Sequence, residues 1–172
     1  RLIDDISGRI SISNLKSRTI PTIETKIASI NGIRFSSDNK IISVSNEIGY
    51  RRIHSWNLKK KIAQRYQLDN NDDVGDFDFS RDAKTIVFDS KQGIKLWNVD
   101  GKLLKNIKVN VNRRIHNIKL SPDNKTIAFM SNGEIQLYDF TGKKLRDIKD
   151  NSEKISIMAF NQNGENMYPL NK

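Results

Sequence analysis

Residues Gly93 to Lys102 read GIKLWNVDGK, a short alternation of apolar and polar residues that ends in Trp97-Asn98 and a glycine turn. Similar stretches start at Ile53 (IHSWNL) and at Gly133 (GEIQLYDFTGK). The aromatic residues near their ends are spaced by 41 and 41 residues: Trp56, Trp97 and Tyr138. A fixed period of this length is typical of one supersecondary unit used several times. The sequence therefore predicts a repeat protein.

A second block recurs upstream of each aromatic residue and once more near the end of the chain. Its copies read FSSDNK, FSRDAK, LSPDNK and FNQNGE, and they begin at Phe35, Phe79, Leu120 and Phe160. The Ser and Asp side chains in this block are suited to hydrogen-bond nearby backbone amides and to fix a tight turn. An apolar run follows each copy at once, so the block predicts a β-hairpin.

Each unit is predicted to contain four short strands, labelled a to d in chain order. Apolar and polar residues alternate with a period of two and turns recur, whereas helical spacing is not sustained, so the fold class is all-β. Strand a is assigned to residues 30–35, 75–79, 115–120 and 155–160, and strand b to 41–44, 85–88, 126–129 and 167–170. Strand c is the segment that ends in the repeat Trp or Tyr, and strand d is assigned to 103–107 and 145–148. Residues 1–22 supply only the back of a unit and residues 154–172 only the front, so three complete units are predicted between two partial ones.

Composition restricts the class of protein. The 172 residues are enough for one domain with a sizeable core, although the hydrophobic content of 36% suits thin sheets better than a thick helical core. The chain has no cysteine, which excludes disulfides and thiolate metal sites. No apolar run reaches the ~18 residues of a membrane span, and the first residues have no signal-peptide core. These features predict a cytoplasmic protein without a membrane span.

The chain is strongly basic, with a formal net charge of +10. Such a balance is compatible with binding to nucleic acid or to an anionic membrane surface. It is explained more simply by a composition rich in lysine, in which lysine covers the solvent faces of strands. The charge alone leaves these readings open.

Taken together, the Phe-Ser-x-Asp-x-Lys turn, the Gly-x-Ile-x-Leu-Trp-Asn strand and the following Gly-Lys turn resemble the WD-repeat β-propeller family over essentially all of the chain. The chain departs from the family pattern in two ways: the Gly-His pair is missing, and Trp-Asp is replaced by Trp56-Asn57, Trp97-Asn98 and Tyr138-Asp139. The resemblance implies radial four-stranded blades, about four of them in residues 1–172. It also implies a larger ring, which further blades or a second copy would complete.

The same resemblance implies a non-catalytic scaffold or sensor platform, the C-terminal propeller part of a multidomain protein. In such a ring the b-to-c and d-to-a connections lie on one face, and this would bring together the following partner-binding candidates: Arg51, Arg52, Arg113, Arg114, Asp72 and Asp73. The mixed sign of these charges favours a protein partner over nucleic acid, which needs a stripe of one sign. Nucleic-acid binding through the basic faces remains the alternative, and the simplest reading of each pair is a solvated turn.

Nothing in the sequence indicates catalysis. His54 and His116 are the only histidines, and no spacing places them with other ligands or with a nucleophile. The acidic run at 69–73 does not match a calcium loop, because Val74 stands where glycine is needed and Ser80 where glutamate is needed. Phosphate-binding loops and nucleophile elbows are also missing from the sequence. We therefore predict no enzymatic activity, no cofactor and no metal site.

Overall fold

The structure is a computed structural model in which strands form all the regular secondary structure of the described residues. The described residues are 2–5, 9–13, 22–24, 30–36, 40–47, 50–57, 62–67, 76–90, 93–110, 114–149, 155–164 and 166–171. All strand pairs within the sheets are antiparallel. The all-β prediction is confirmed at this level. The chain divides into two compact units, Arg1–Asn71 and Asp72–Lys172.

The first unit contains two sheets. The first sheet has three strands in the order β1-β2-β3, and the second has four in the order β4-β5-β6-β7. Their bounds are β1 Leu2–Asp5, β2 Arg9–Ser13, β3 Thr22–Glu24, β4 Ile30–Phe35, β5 Lys40–Glu47, β6 Tyr50–Asn57 and β7 Ile62–Gln67.

The second unit contains two four-stranded sheets and one two-stranded sheet. In each four-stranded sheet the strands lie side by side in chain order, β8 to β11 and β12 to β15, and β16 pairs with β17. Their bounds are β8 Phe77–Phe79, β9 Thr85–Ser90, β10 Gly93–Asn98, β11 Leu103–Ile107, β12 His116–Leu120, β13 Thr126–Ser131, β14 Glu134–Asp139, β15 Lys144–Ile148, β16 Ile155–Phe160 and β17 Met167–Asn171.

The core of the second unit lies between successive sheets. On β13, Ile127 and Phe129 belong to a cluster shared with the preceding sheet, which contributes Val87, Leu96 and other residues. Alternate residues of a strand point to opposite faces, so the next side chains along β13 face the other way. Ala128 and Met130 accordingly belong to a second cluster, shared with Met158 and its neighbours in the last sheet. This sheet is therefore buried on both faces, which explains the continuous apolar run at residues 127–130 of β13.

Side chains close the hairpin turns between the first and second strands, as the sequence predicts. Ser80 Oγ donates to Asp82 Oδ1 at 2.6 Å and accepts from the Thr85 amide at 2.9 Å. The next unit repeats this arrangement, with Ser121 Oγ donating to Asp123 Oδ1 at 2.6 Å. The predicted role of these Ser and Asp residues in the turn is confirmed.

In the second unit, the residue after each repeat aromatic closes the turn between the third and fourth strands of its sheet. Asn98 Oδ1 accepts from the Lys102 amide at 2.8 Å, and Asp139 Oδ1 accepts from the Lys143 amide at 2.9 Å. The equivalent glycine in each turn has a positive φ, 80° at Gly101 and 93° at Gly142. A residue with a side chain is strained in that conformation, which accounts for glycine at these two positions.

Carboxylates also join successive sheets. Asp76 Oδ2 accepts from the amide of Ile118 on β12 at 2.8 Å. The Asp76 amide donates in turn to Asp89 Oδ1 on β9. The bond to Ile118 satisfies a backbone donor at the free edge of β12, where no strand of the same sheet is present to accept it, and the bond to Asp89 holds Asp76 against its own sheet.

Candidate protein-interaction surface

The structure describes part of the predicted arginine surface. Arg52 is the third residue of β6, where it lies opposite Ser45 and Gln67 in the strand register, and its side chain is half-buried. Arg51 precedes it on the same strand. A half-buried arginine keeps its guanidinium near solvent while its aliphatic stem packs on the sheet.

Arg114 is exposed and lies just before β12. Its carbonyl oxygen is 3.4 Å from Nδ1 of His116. Arg113, Asp72 and Asp73 lie outside the described residues. Because Arg52 and Arg114 belong to different compact units, the prediction that the two arginine pairs share one face stays a prediction.

The two histidines occupy different environments. His54 is buried on β6, and its ring stacks on Trp56 with centroids 5.5 Å apart and planes 13° from parallel. His116 is exposed at the start of β12. Among the described residues, no three His, Asp or Glu side chains converge in a way that would hold a metal ion.

The aromatic residues that define the repeat serve the core. Trp56, Trp97 and Tyr138 are all buried, and the ring of Tyr138 stacks on Phe129 at 5.5 Å. Burial raises the pKa of the Tyr138 hydroxyl above its ordinary value. These rings are therefore not available as stacking platforms for a ligand.

A surface that the sequence analysis did not predict lies on the last strand of each four-stranded sheet of the second unit. Leu103 and Leu104 on β11 and Leu145 on β15 are exposed. Both strands have a register shift at this point, because Leu96 pairs with Lys105 while Trp97 pairs with Leu103, which leaves Leu104 as the extra residue. Leu145 is the extra residue of the same irregularity on β15. The Leu-Leu pair between lysines was the sequence signal for this surface.

Ion pairs organise the charged side chains around β15. Lys144 Nζ lies 2.8 Å from Asp147 Oδ2, and Lys149 Nζ lies 2.8 Å from Glu134 Oε1. The hydrogen bond from each lysine to its carboxylate raises the pKa of Lys144 and of Lys149. Exposed pairs of this kind add little stability, but they neutralise positive charge locally.

Comparison with known proteins supports the fold. No family model matches the sequence, and no curated protein matches it. Among solved structures, the chain is similar to the crystal structure of the tricorn protease, with a TM-score of 0.71 and 16% sequence identity. The likeness covers 97% of this chain and 17% of the tricorn protease chain. Tricorn protease has β-propeller domains, so the fold is propeller-like.

The likeness extends to the fold alone, because the identity is low and most of the tricorn protease chain has no counterpart here. The WD-repeat type and the number of blades stay predictions. Within the described part of the chain, no helix is long and apolar enough to cross a membrane.

Proposed function

We propose that this chain is a non-catalytic protein-interaction module, a propeller segment of the WD-repeat type within a multidomain protein. The observation that carries the proposal is the contrast between buried and exposed side chains in the second unit. The repeat aromatics and the β-branched residues are buried between sheets, while the turns between the strands expose mainly charged side chains. A frame packed in this way presents side chains without rearranging them, and this favours recognition of another protein.

The mechanism is the presentation of cations to the carboxylates of a partner. Arginine is suited to this role because its planar guanidinium binds a carboxylate through two parallel hydrogen bonds. Of the two predicted arginines whose side chains are described, Arg114 is the exposed one, and it lies just before β12. We expect Arg52 to contribute as well, with a smaller exposed portion.

Affinity enrichment followed by reconstitution tests the proposal. The tagged chain and an Arg114→Glu variant are used to enrich partners from extract of the source cells, and each enriched protein is purified and titrated against the chain. We expect saturable binding that Arg114→Glu weakens at least tenfold, with a melting temperature equal to that of the wild type. Lys84→Glu is the control, because Lys84 is an exposed cation on a different turn. If no purified protein binds directly, or if both variants bind like the wild type, the proposal is wrong.

Nucleic-acid binding is the alternative function, and the net charge of +10 favours it. Tyr168 is the one exposed aromatic side chain in the part of the chain whose side chains are described, so bases would find few rings to stack on. This function predicts affinity for a single-stranded oligonucleotide that falls steeply between ~50 and ~200 mM salt. Binding with that salt dependence, unaffected by Arg114→Glu, would replace the protein-interaction proposal.

The proposal includes a closed ring of four-stranded blades. The sheet formed by β16 and β17 has two strands, so a complete blade at this place needs further strands. Further blades of a longer protein or a second copy of this chain would supply them. Measurement of the mass in solution by light scattering tests this point. A monomer that unfolds in one cooperative transition would show that the chain needs neither.

A further inference from the structure

The outer strand β11 combines exposed leucine with uncompensated positive charge. Leu103 is 39% exposed and Leu104 is 49% exposed, and both lie on the last strand of their sheet. The lysines at positions 102, 105 and 108 are exposed as well. We name these residues the β11 rim: Lys102, Leu103, Leu104, Lys105 and Lys108.

The leucines of the β11 rim stand out against the rest of the chain. Of the four exposed large apolar side chains in the described residues, two belong to the rim and a third, Leu145, occupies the equivalent position on β15. Exposed apolar side chains that occur singly need no explanation, whereas Leu103 and Leu104 are adjacent and add their exposed apolar area at one place on the strand. The energetic cost of leaving Leu103 and Leu104 in water is removed when a partner covers them.

The lysines of the β11 rim lack the carboxylates that neutralise the equivalent strand. On β15, Asp147 pairs with Lys144, and Glu134 pairs with Lys149. One repeat of 41 residues earlier, these acidic positions are occupied by Asn106 and Gly93. Lys102, Lys105 and Lys108 form no ion pair with any residue that the structure describes. The rim therefore carries net positive charge, and a carboxylate-bearing partner complements it.

The register shift determines how a partner would bind. An irregularity at Leu104 interrupts the pairing of β11 with β10, and such a bulge twists an edge strand away from continuous pairing with another strand. A partner that adds a strand along the whole edge is therefore disfavoured. Contacts through side chains are favoured, with aliphatic groups over the leucines and carboxylates at the lysines.

We infer that the β11 rim binds an acidic segment of a protein partner that carries aliphatic side chains among its carboxylates. The inference rests on the proposed function and adds the chemical class of the partner and the surface that it contacts. Lipid headgroups and nucleic acid supply phosphates in place of carboxylates, and they are alternative outcomes of the test.

The test uses the whole chain and a short fluorescein-labelled peptide of alternating glutamate and leucine pairs, with binding followed by fluorescence anisotropy. Two control peptides replace glutamate by lysine or leucine by serine. We expect saturable binding of the first peptide, at least tenfold weaker binding of the serine peptide and none of the lysine peptide. Binding of all three alike, or of none, would overturn the inference.

Variants of the β11 rim test which of its residues contact the peptide. Lys105→Glu and Leu104→Ser are each expected to weaken binding about tenfold, while Asn106→Asp, which introduces the acid found at Asp147, weakens it several-fold. Arg81→Glu is the control with the same change of charge on a different, exposed turn. The melting temperature is measured for each variant. If a rim variant does not fold, Lys108→Glu is tested in its place. Unchanged binding by the rim variants would overturn the inference.

The other partner classes are tested with the same variants. Vesicles of phosphatidylcholine with and without phosphatidylserine, and a single-stranded oligonucleotide, are titrated beside the peptide. If either binds tighter than the peptide and with the same dependence on Leu104 and Lys105, the rim recognises phosphate and the inference is wrong. Failure at the rim leaves the proposed function intact when Arg114→Glu still weakens binding of a purified partner at least tenfold. If the wild-type chain binds neither the acidic peptide nor any purified protein, both this inference and the proposed function are wrong.

Discussion

The carboxylate of Asp78 accepts a hydrogen bond of 2.9 Å from the backbone amide of Leu120, 42 residues further along the chain. Asp78 lies on β8 and Leu120 on β12, the first strands of two successive sheets. β12 is an edge strand, so half of its backbone N–H groups face away from β13 and need another acceptor. Asp76 accepts from Ile118 in the same way, two residues earlier on each strand. Two carboxylates thus replace the missing neighbouring strand.

Removal of these carboxylates is expected to destabilise the second unit. Asp78→Ala leaves the Leu120 amide without its acceptor, at a cost of about 1–3 kcal/mol in the free energy of unfolding. Asp78→Asn keeps one acceptor oxygen and should lose less. Urea unfolding followed by circular dichroism measures both.

Asp100→Ala is the control for this prediction, because Asp100 is exposed on the turn before β11. It should leave the urea midpoint within the error of the measurement. Equal midpoints for Asp78→Ala and Asp100→Ala would show that the bond between the sheets contributes nothing to stability.

Gly93 and Gly133 form a second matched pair. A Cβ atom at Gly93 would lie 2.2 Å from the carbonyl oxygen of Ile107, whereas one at Gly133 would have nothing within 4 Å. Both residues have a positive φ, 131° and 78°. Gly133→Ala should therefore cost about 1–2 kcal/mol for its backbone conformation alone. Gly93→Ala adds a backbone clash and should cost at least about 3 kcal/mol.

Thermal unfolding distinguishes the two glycines. At this chain length about 1 kcal/mol corresponds to a shift of roughly 2–4 °C in Tm, so Gly93→Ala should melt well below Gly133→Ala. If the two variants melt together, the close approach of Ile107 to Gly93 is not a feature of the folded protein.

Much of the strand pattern could be predicted because the turns are chemically distinctive. The predicted strands at 30–35, 103–107 and 155–160 coincide with β4, β11 and β16. Each of the last two is preceded or followed by a turn in which Gly, Ser, Asn or Asp has a defined hydrogen-bonding role. A side chain that accepts a hydrogen bond from a backbone amide four or five residues away can be recognised from the local sequence alone.

Strand ends that depend on distant residues could not be predicted. The predicted strand at 85–88 is shorter than β9, which continues through Asp89 and Ser90. A polar pair is typical of a strand end, but Asp89 is buried because its carboxylate accepts from the amide of Asp76. That partner lies 13 residues away and becomes visible only in the folded chain.

The candidate surface shows what a sequence leaves open. The sequence places Arg51-Arg52 after one loop and Arg113-Arg114 at the end of another, and the structure describes Arg52 as half-buried within β6 and Arg114 as exposed. It did not predict the exposed leucines of β11, since alternating patterns do not distinguish an outer strand from a buried one. Nor could it predict which lysines are neutralised, because Lys149 and Glu134 become neighbours only through the pairing of β14 with β15.

Acid is expected to destabilise the turns through their aspartates. The hydrogen bond from Ser121 lowers the pKa of Asp123 below 3.8, and that from Thr141 does the same for Asp139. A carboxyl whose pKa is lower in the folded than in the unfolded state stabilises the protein above the unfolded pKa, and this contribution is lost as the pH falls through the folded pKa. Tm should therefore be constant from pH 7 to about pH 5 and should fall below about pH 4.

Asp139→Asn should reduce that fall while preserving the turn, since Asn98 already makes the equivalent bond to the Lys102 amide. Circular dichroism melts at intervals of pH measure the slope, and an Asp123→Asn/Asp139→Asn variant that loses as much stability in acid as the wild type would contradict the assignment.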